Sequence, residues 1–331
     1  MKKSRFLRVA LLSVPALAVQ AGFNLGLTGA AKSRAKHLED KINAGPSVES
    51  RINTPGWADS PFISRDGQRL YFMYSRWDFG PVFLSTGGLP VLRGPDRPGH
   101  HKDDVNPYDD SDLYVATKRG DGSWDTPVNM GFNSAGGDAS GMELSSGTFF
   151  VWIKPTLPSG LPDIYISTRD AFGHWSAPVG ISPHINTVNL EDNPHLWPDG
   201  NSMWFTSDRG GGAGGKDIWF SSKTAGVWNT PVNVGPTLNT AADEDQFWVS
   251  PVNFDVYFTR DNQIYRSSFS GFGYTAPTLV NLGLAVAAEP SITDDGQDLY
   301  FATGDTTTAH IRIMHARSLG GGHWATPVPV D

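Results

Sequence analysis

The feature that most limits what this chain can become is a short step, Trp/Tyr-x-x-Pro, that returns five times. It stands at Trp124/Pro127, Trp175/Pro178, Trp228/Pro231, Tyr274/Pro277 and Trp324/Pro327, at intervals of 51, 53, 46 and 50 residues. An aromatic pair precedes each step: Tyr71-Phe72, Phe149-Phe150, Trp204-Phe205, Tyr257-Phe258 and Tyr300-Phe301. Between pair and step lies a third marker, Asp112-Leu113-Tyr114, Asp163-Ile164-Tyr165, Asp217-Ile218-Trp219, Gln263-Ile264-Tyr265 and His310-Ile311-Arg312. Three markers in constant order, five times over, define a repeat protein.

Each repeat holds four short alternating or aromatic-rich runs punctuated by Gly, Pro, Asp and Asn, with no helical periodicity. Four antiparallel strands per ~45–50-residue unit is the content of a propeller blade. A single blade has two apolar faces that only neighbouring blades can cover. The expected fold is therefore all-β, a five-bladed β-propeller of four-stranded antiparallel blades. The 37 Gly, 24 Pro and 11% aromatic content suit many strands and tight turns. The blades are expected at about 52–130, 131–182, 183–236, 237–283 and 284–331. Ile52-Asn53-Thr54 matches the linkers Ile185-Asn186-Thr187 and Leu238-Asn239-Thr240, so the two ends of the repeat region dovetail into a circle.

The repeats resemble the WD40-like PD40 repeat of TolB-like periplasmic propellers. The residues that carry the resemblance are Asp66-Gly67-Gln-Arg-Leu-Tyr-Phe72, Thr206-Ser-Asp-Arg209, Gly214-Gly-Lys-Asp-Ile-Trp219, Trp228-Asn-Thr-Pro-Val-Asn233 and Asp295-Gly-Gln-Asp-Leu-Tyr-Phe301. The resemblance runs from about Ile52 to the C-terminus. It implies a propeller that binds partners within cell-envelope complexes; activity does not follow from the fold.

The N-terminal segment is expected to be a signal peptide over 1–21. Lys2, Lys3, Arg5 and Arg8 precede an apolar run that ends in small residues at Val19-Gln20-Ala21. An uncleaved anchor reaching Ala31 is the competing reading, but Pro15, Gln20, Asn24 and several Gly interrupt it, whereas a span needs about 20 mostly apolar residues. Residues 22–51 read as a linker. The destination is periplasmic or secreted, with no stable membrane insertion after cleavage. The chain has a formal charge of −8 and no cysteine. Nucleic acid is not an expected partner, because phosphate binding needs a basic face. Disulfides, thiolate metal sites and a lipidated Cys are excluded.

Aligning the repeats on the aromatic pair puts a carboxylate at the entry to each innermost strand. The segments are Ala58-Asp59-Ser60-Pro61, Gly137-Asp138-Ala139-Ser140, Glu191-Asp192-Asn193-Pro194, Glu244-Asp245-Gln246-Phe247 and Ala288-Glu289-Pro290. Two readings stand side by side: the acids cap turns, or they converge at one mouth of the channel. In the second, Glu244, Glu289, Glu191 and Asp59 are candidate catalytic groups, since crowded like charges raise pKa values as general acids require. Asp59, Asp138, Asp192, Asp245 and His195 are candidate ligand contacts. For His195 a hydrogen-bonded structural role competes.

The first repeat also carries an insertion, about Arg76 to Ser111, with no counterpart in the others. Its length suggests a lid or binding loop, and Trp77, Arg97, His100 and His101 suit a polar, ring-shaped ligand. Toward its end and just past it, Asp104, Asn106, Asp110 and Asp112 offer oxygen ligands at alternating positions, as calcium loops do. The turn Gly and terminal Glu of an EF-hand are missing. No cofactor is required by the pattern, and Ca²⁺ is the one cation considered. Gly-x-Ser-x-Gly is absent, so serine hydrolysis has no support. Three functions remain: binding of a glycan or cell-envelope component at the covered mouth, glycoside hydrolysis by axial carboxylates, and a protein-interaction scaffold. Five-bladed furanosidase-type hydrolases share the expected architecture, but no catalytic motif transfers residue by residue.

Overall fold

Each repeat folds into one antiparallel sheet whose strands pair in sequence order. A computed structural model describes residues 52–79, 81, 89–144, 147–154, 161–304 and 310–330; the expected signal peptide and linker lie outside them. All belong to one unit, Pro46–Asp331. The first blade comprises Trp57–Ile63, Arg69–Ser75, Ser111–Thr117 and Val128–Asn129. The second comprises Gly137–Leu144, Thr148–Lys154, Asp163–Thr168 and Val179–Gly180. In the third, Glu191–Leu196, Ser202–Ser207 and Asp217–Thr224 are followed by two short pieces, Val227–Trp228 and Val232–Asn233, which share the outermost place. The fourth has Glu244–Val249, Val256–Arg260, Gln263–Ser267 and Thr278–Leu279. The fifth has Ala288–Ile292, Asp298–Gly304, Ile311–Gly320, and the pieces His323–Trp324 and Val328–Pro329. The molecule is a five-bladed β-propeller. Among the described residues no helix is long and apolar enough to cross a membrane.

The core lies between the blades. One buried cluster joins Ile52, Tyr114 and Trp124 of the first blade to Tyr300, Ile313 and Val330 of the fifth. Others join the third blade to the fourth and the fourth to the fifth. This explains why the second strands read as continuous apolar runs: both faces are covered, so alternation is not required. The repeated Trp packs across the seams, Trp124 edge-on to Tyr300 and Trp324 edge-on to Tyr257. Lys118, Arg169 and Lys223 lie over Trp124, Trp175 and Trp228 at 5.7, 5.1 and 4.6 Å. The Pro three residues on ends the hairpin pairing, because it has no N–H to donate.

The turn joining the first two strands recurs as Asp66-Gly67-Gln68, Asp199-Gly200-Asn201 and Asp295-Gly296-Gln297. In each, the Asp carboxylate accepts the backbone N–H two residues on, at 3.0, 2.9 and 3.0 Å. The Gly takes φ of 70°, 69° and 69°, a left-handed conformation that a side chain disfavours.

Between blades the linker asparagines act as clamps. Asn133, Asn186 and Asn239 each accept the N–H and donate to the C=O of one residue on the preceding third strand, Leu113, Ile164 and Ile218. Asn53 does the same to Ile313 of the fifth blade, at 2.8 and 2.9 Å, and also donates to Val330 O at 2.7 Å. The ring is thus closed by a side chain. The linker into the fifth blade departs from this pattern, holding its neighbour instead through Gln263 Nε2, 2.6 Å from Ala285 O.

Gly141, on the inner strand of the second blade, leaves no room for a methyl group, which would overlap the Phe149 ring and touch Leu113. Gly141→Ala is expected to cost about 1–3 kcal/mol, the usual penalty of overpacking a filled core. Chemical denaturation checks it.

Candidate ligand site at the ring axis

The five innermost strands share one irregularity. Each pairs with its neighbour through a bulge, between Asp59 and Phe62, Ala139 and Met142, Asp192 and His195, Asp245 and Trp248, and Ala288 and Ser291. At each bulge one non-glycine residue adopts a left-handed backbone: Ser60 (φ 50°), Ser140 (48°), Asn193 (49°), Gln246 (44°) and Glu289 (62°). A bulge bends a strand and re-aims its side chains. Repeated in five blades, it turns these positions toward the axis, where Ser60, Ser140, Gln246 and Glu289, with residues beside them, line a cavity of about 590 Å³.

Asp59, Asp192, Asp245 and Glu289 all line that cavity, together with Lys216 and the apolar side chains of Trp57, Met73 and Phe79. Lys216 Nζ stands 2.6 Å from Asp245 and 4.0 Å from Asp192. Asn193 Nδ2 donates to Asp245 Oδ1 at 2.5 Å. Gln246 Nε2 donates to Glu289 Oε1 at 3.1 Å, and the Ser60 N–H donates to Glu289 Oε2 at 2.5 Å. The Trp57 indole N–H donates to Asp59 Oδ2. The other Asp59 oxygen, Oδ1, is buried without a hydrogen-bond partner among the described residues, on a side chain only 8% exposed.

Burial, with the mutual repulsion of the acids, perturbs their titration. Burial pushes Asp59 up to about 7, against the hydrogen bonds from Trp57 and Ser60. Asp192 also rises to about 7, from burial first and the Asp245 charge second. Burial and then the Asp59 charge lift Glu289 well above the ordinary carboxylate range. Burial works against the Lys216 ammonium, but Asp245 and Asp192 more than offset it and hold the proton on. These are shifts of the kind that gather at binding and catalytic sites.

The other acids of the entry segments face elsewhere. Glu191 and Glu244 are fully buried and lie outside the cavity lining. Glu191 accepts from Thr187 N and Oγ1, Ser207 Oγ and Arg209. Glu244 accepts from Thr240 N and Oγ1 and from Arg260. Asp138 occupies the matching place in the second blade, taking Ser134 N and Oγ at 2.7 and 2.9 Å, and burial raises it to about 8. These three acids fasten the linker to the strand it enters. Glu191 and Glu244 precede the axial acids Asp192 and Asp245 by one residue, Asp138 precedes Ala139 in the same way, and adjacent strand residues point to opposite faces.

His195 is buried against Trp204 and Trp248 and accepts the Val249 N–H through Nε2 at 3.3 Å. Burial and the Arg65 charge push its pKa down to about 3, so it stays neutral. It lines a smaller recess of about 60 Å³ along the axis.

The insertion reaches the acidic cavity with Phe79, Pro107 and Ser111. Phe79 packs edge-on against Trp57, ring centroids 5.6 Å apart, which links the insertion to Asp59. Trp77, Arg97, His100 and His101 do not line the cavity; they hold the insertion in place. The Trp77 indole donates to Asp103 O at 2.9 Å. The Arg97 guanidinium lies 4.2 Å over the Tyr74 ring and donates to Ile52 O at 2.9 Å. His100 bridges Asp110 and Asp112 at 3.0 and 3.3 Å, and the His101 N–H donates to Asp112.

The four oxygen donors considered for Ca²⁺ are drawn into these contacts. Arg76 pairs with Asp110 and, at 2.8 Å, with Asp104, so the two carboxylates share one guanidinium. Asn106 turns to Asp109, and Asp112 also accepts from Asn129 at 2.9 Å. Among the described residues no three His, Cys, Asp or Glu are gathered to hold a metal ion.

Lys216, Asn193 and Gln246 escaped the sequence reading. Lys216 immediately precedes the Asp217-Ile218-Trp219 marker, where the other repeats have Ser111, Pro162, Asn262 and Ala309. That lone basic residue in a conserved frame was the available signal. Nothing in the sequence marked the left-handed positions.

Fold and site together define a five-bladed propeller with an acidic axial cavity bordered by an insertion. No protein-family model and no curated protein matches the chain. Solved structures do. An α-L-arabinofuranosidase from Lactobacillus brevis is 11% identical, over 83% of this chain and 96% of that one, with a TM-score of 0.50. A putative TolB from Agrobacterium tumefaciens is 17% identical over 83% of each chain, at 0.47. The periplasmic gluconolactonase of Pseudomonas aeruginosa is 12% identical, over 84% and 73%, at 0.42. At these identities the likeness is one of fold.

Proposed function

We propose that this chain is an exported binding protein that takes a sugar-like, polyhydroxylated ligand, free or as part of a cell-envelope glycan, into the axial cavity. The observation that carries the reading is the meeting of Asp59, Asp192, Asp245, Glu289 and Lys216 with Trp57 and Phe79 around about 590 Å³. That volume lies within the ~300–1,000 Å³ usual for small-molecule sites. Carboxylates accept paired hydrogen bonds from neighbouring hydroxyls, Lys216 and Gln246 donate, and the aromatic side chains cover the C–H face of a ring. A panel of mono- and oligosaccharides, scored by calorimetry, tests the reading; no heat of binding from any member would end it.

Hydrolysis is the second reading, favoured by one observation: burial and the Asp59 charge raise Glu289 well above the ordinary carboxylate range, within a cavity that holds three further acids. A protonated acid next to an ionised one is the pairing that glycoside cleavage uses. Glu289→Gln separates the cases. If bonds are broken, reducing-sugar release should fall about 10²–10⁴-fold, the contribution of a general acid. If the site only binds, the parent protein releases no sugar. In either case the variant should melt higher than the parent at about pH 8. A carboxyl raised in the folded state destabilises the fold as pH climbs past its unfolded value, and the amide removes that cost.

A further inference from the structure

The axial site is electrically lopsided. On one side an ammonium, Lys216, stands against Asp245 and Asp192. On the other are Asp59 and Glu289, and among the described residues neither forms an ion pair with any Lys, Arg or His. Glu289 has its two oxygens occupied by neutral donors, Ser60 N–H and Gln246 Nε2. Asp59, a residue of the cavity lining, has one oxygen on Trp57 and the other, Oδ1, buried without a hydrogen-bond partner among the described residues. An oxygen buried without a donor costs free energy, and native structures seldom leave one so unless something is to fill it. The remaining charged groups of the lining are Asp243 and Asp261, which add negative potential. Of the insertion's lining residues, Phe79, Pro107 and Ser111, none carries a charge, and the second blade contributes Ser140.

Resting on the sugar-binding reading above, we infer that the cavity selects ligands carrying a protonated primary amine, such as amino sugars, which place the ammonium between Asp59 and Glu289. Lys216 shows the chemistry on the opposite side: one ammonium bridging two carboxylates from neighbouring blades. The ligand's amine completes a second bridge of the same kind and supplies the donor that Asp59 Oδ1 lacks. Neutral sugars leave the acids unpaired, and acidic sugars meet like charge. Because burial raises Asp59 to about 7 and, with the Asp59 charge, lifts Glu289 well above the ordinary carboxylate range, amine binding should release protons and tighten as pH rises from about 6 to 8.

The test is calorimetric titration of the whole protein with 6-amino-6-deoxy-D-glucose, D-glucose and D-glucuronate at pH 6 and pH 8. At pH 8 the amino sugar is expected to bind about tenfold or more tightly than glucose, as one charge-assisted hydrogen bond provides. Glucuronate should bind weakest, and the preference for the amine should shrink at pH 6. Asp59→Asn, checked for folding by its melting curve, should lose most of the preference, its affinity for the amino sugar falling further than its affinity for glucose. Glucose matching the amino sugar at pH 8, or the variant keeping the full preference, overturns the proposal alone. Failure of all three sugars to bind overturns the sugar reading and the proposal with it.

Discussion

Replacing Asn53 with alanine is expected to destabilise the propeller by about 3 kcal/mol, more than any other single linker substitution. The amide is 4% exposed and satisfies both backbone groups of Ile313 and the carbonyl of Val330. Its loss strands the Ile313 N–H and the Val330 carbonyl in the core, where each buried orphan costs about 1–3 kcal/mol, while the Ile313 carbonyl keeps the Val330 N–H. Asn186→Ala is the informative comparison. Asn186 makes the same paired contact, to Ile164, but between two blades that the chain already joins. Asn53 clamps blades whose only connection is non-covalent, so opening there releases the first blade from the fifth. Urea unfolding of both variants should show the larger loss for Asn53→Ala. Equal losses would mean that the closing seam is no weaker than the others.

Arg76→Met should be comparably damaging. Arg76 is 6% exposed and donates to Asp110, which is fully buried, and to the more exposed Asp104 and Asp96. Removing it leaves Asp110 charged and buried, a loss of about 3–5 kcal/mol for a broken buried pair. The damage should centre on the insertion, read as faster amide exchange over 89–110. The same pair sets an acid limit. Burial opposes the Asp110 charge, but hydrogen bonds from His100 and Arg76 outweigh it and hold the carboxyl down at about 2. An acid depressed in the fold stabilises it fully above its unfolded value near 4 and ceases to do so as pH falls toward 2. The parent's melting temperature should therefore drop across that window. In Asp110→Asn that drop should be shallower.

The architecture was legible because a repeat announces itself: five Trp/Tyr-x-x-Pro steps and five aromatic pairs leave little choice of fold. The site was legible only in outline. Asp59, Asp192, Asp245 and Glu289 meet at the axis, yet Glu191 and Glu244, one residue before Asp192 and Asp245, and Asp138 at the same place in the second blade point the other way. A window of three or four residues cannot separate the two sets, since strand faces alternate at every step and the bulge that fixes the phase leaves no compositional mark. The insertion shows a similar limit. Its length singled it out, but Arg97, His100 and Asp110 gave no sign that they would turn inward to brace it, because partners such as Tyr74 and Arg76 become neighbours only through the fold.

The left-handed kink in each inner strand has one more implication. Ser60, Ser140, Asn193, Gln246 and Glu289 are scattered through the chain, yet the same backbone geometry brings all five to a common centre. Since the kink belongs to the sheet rather than to any particular side chain, exchanging the groups at these addresses rewrites what the centre recognises while the seams between blades keep their packing. Changes of preference among proteins built this way can therefore come from a handful of distant codons, each acting through its own blade.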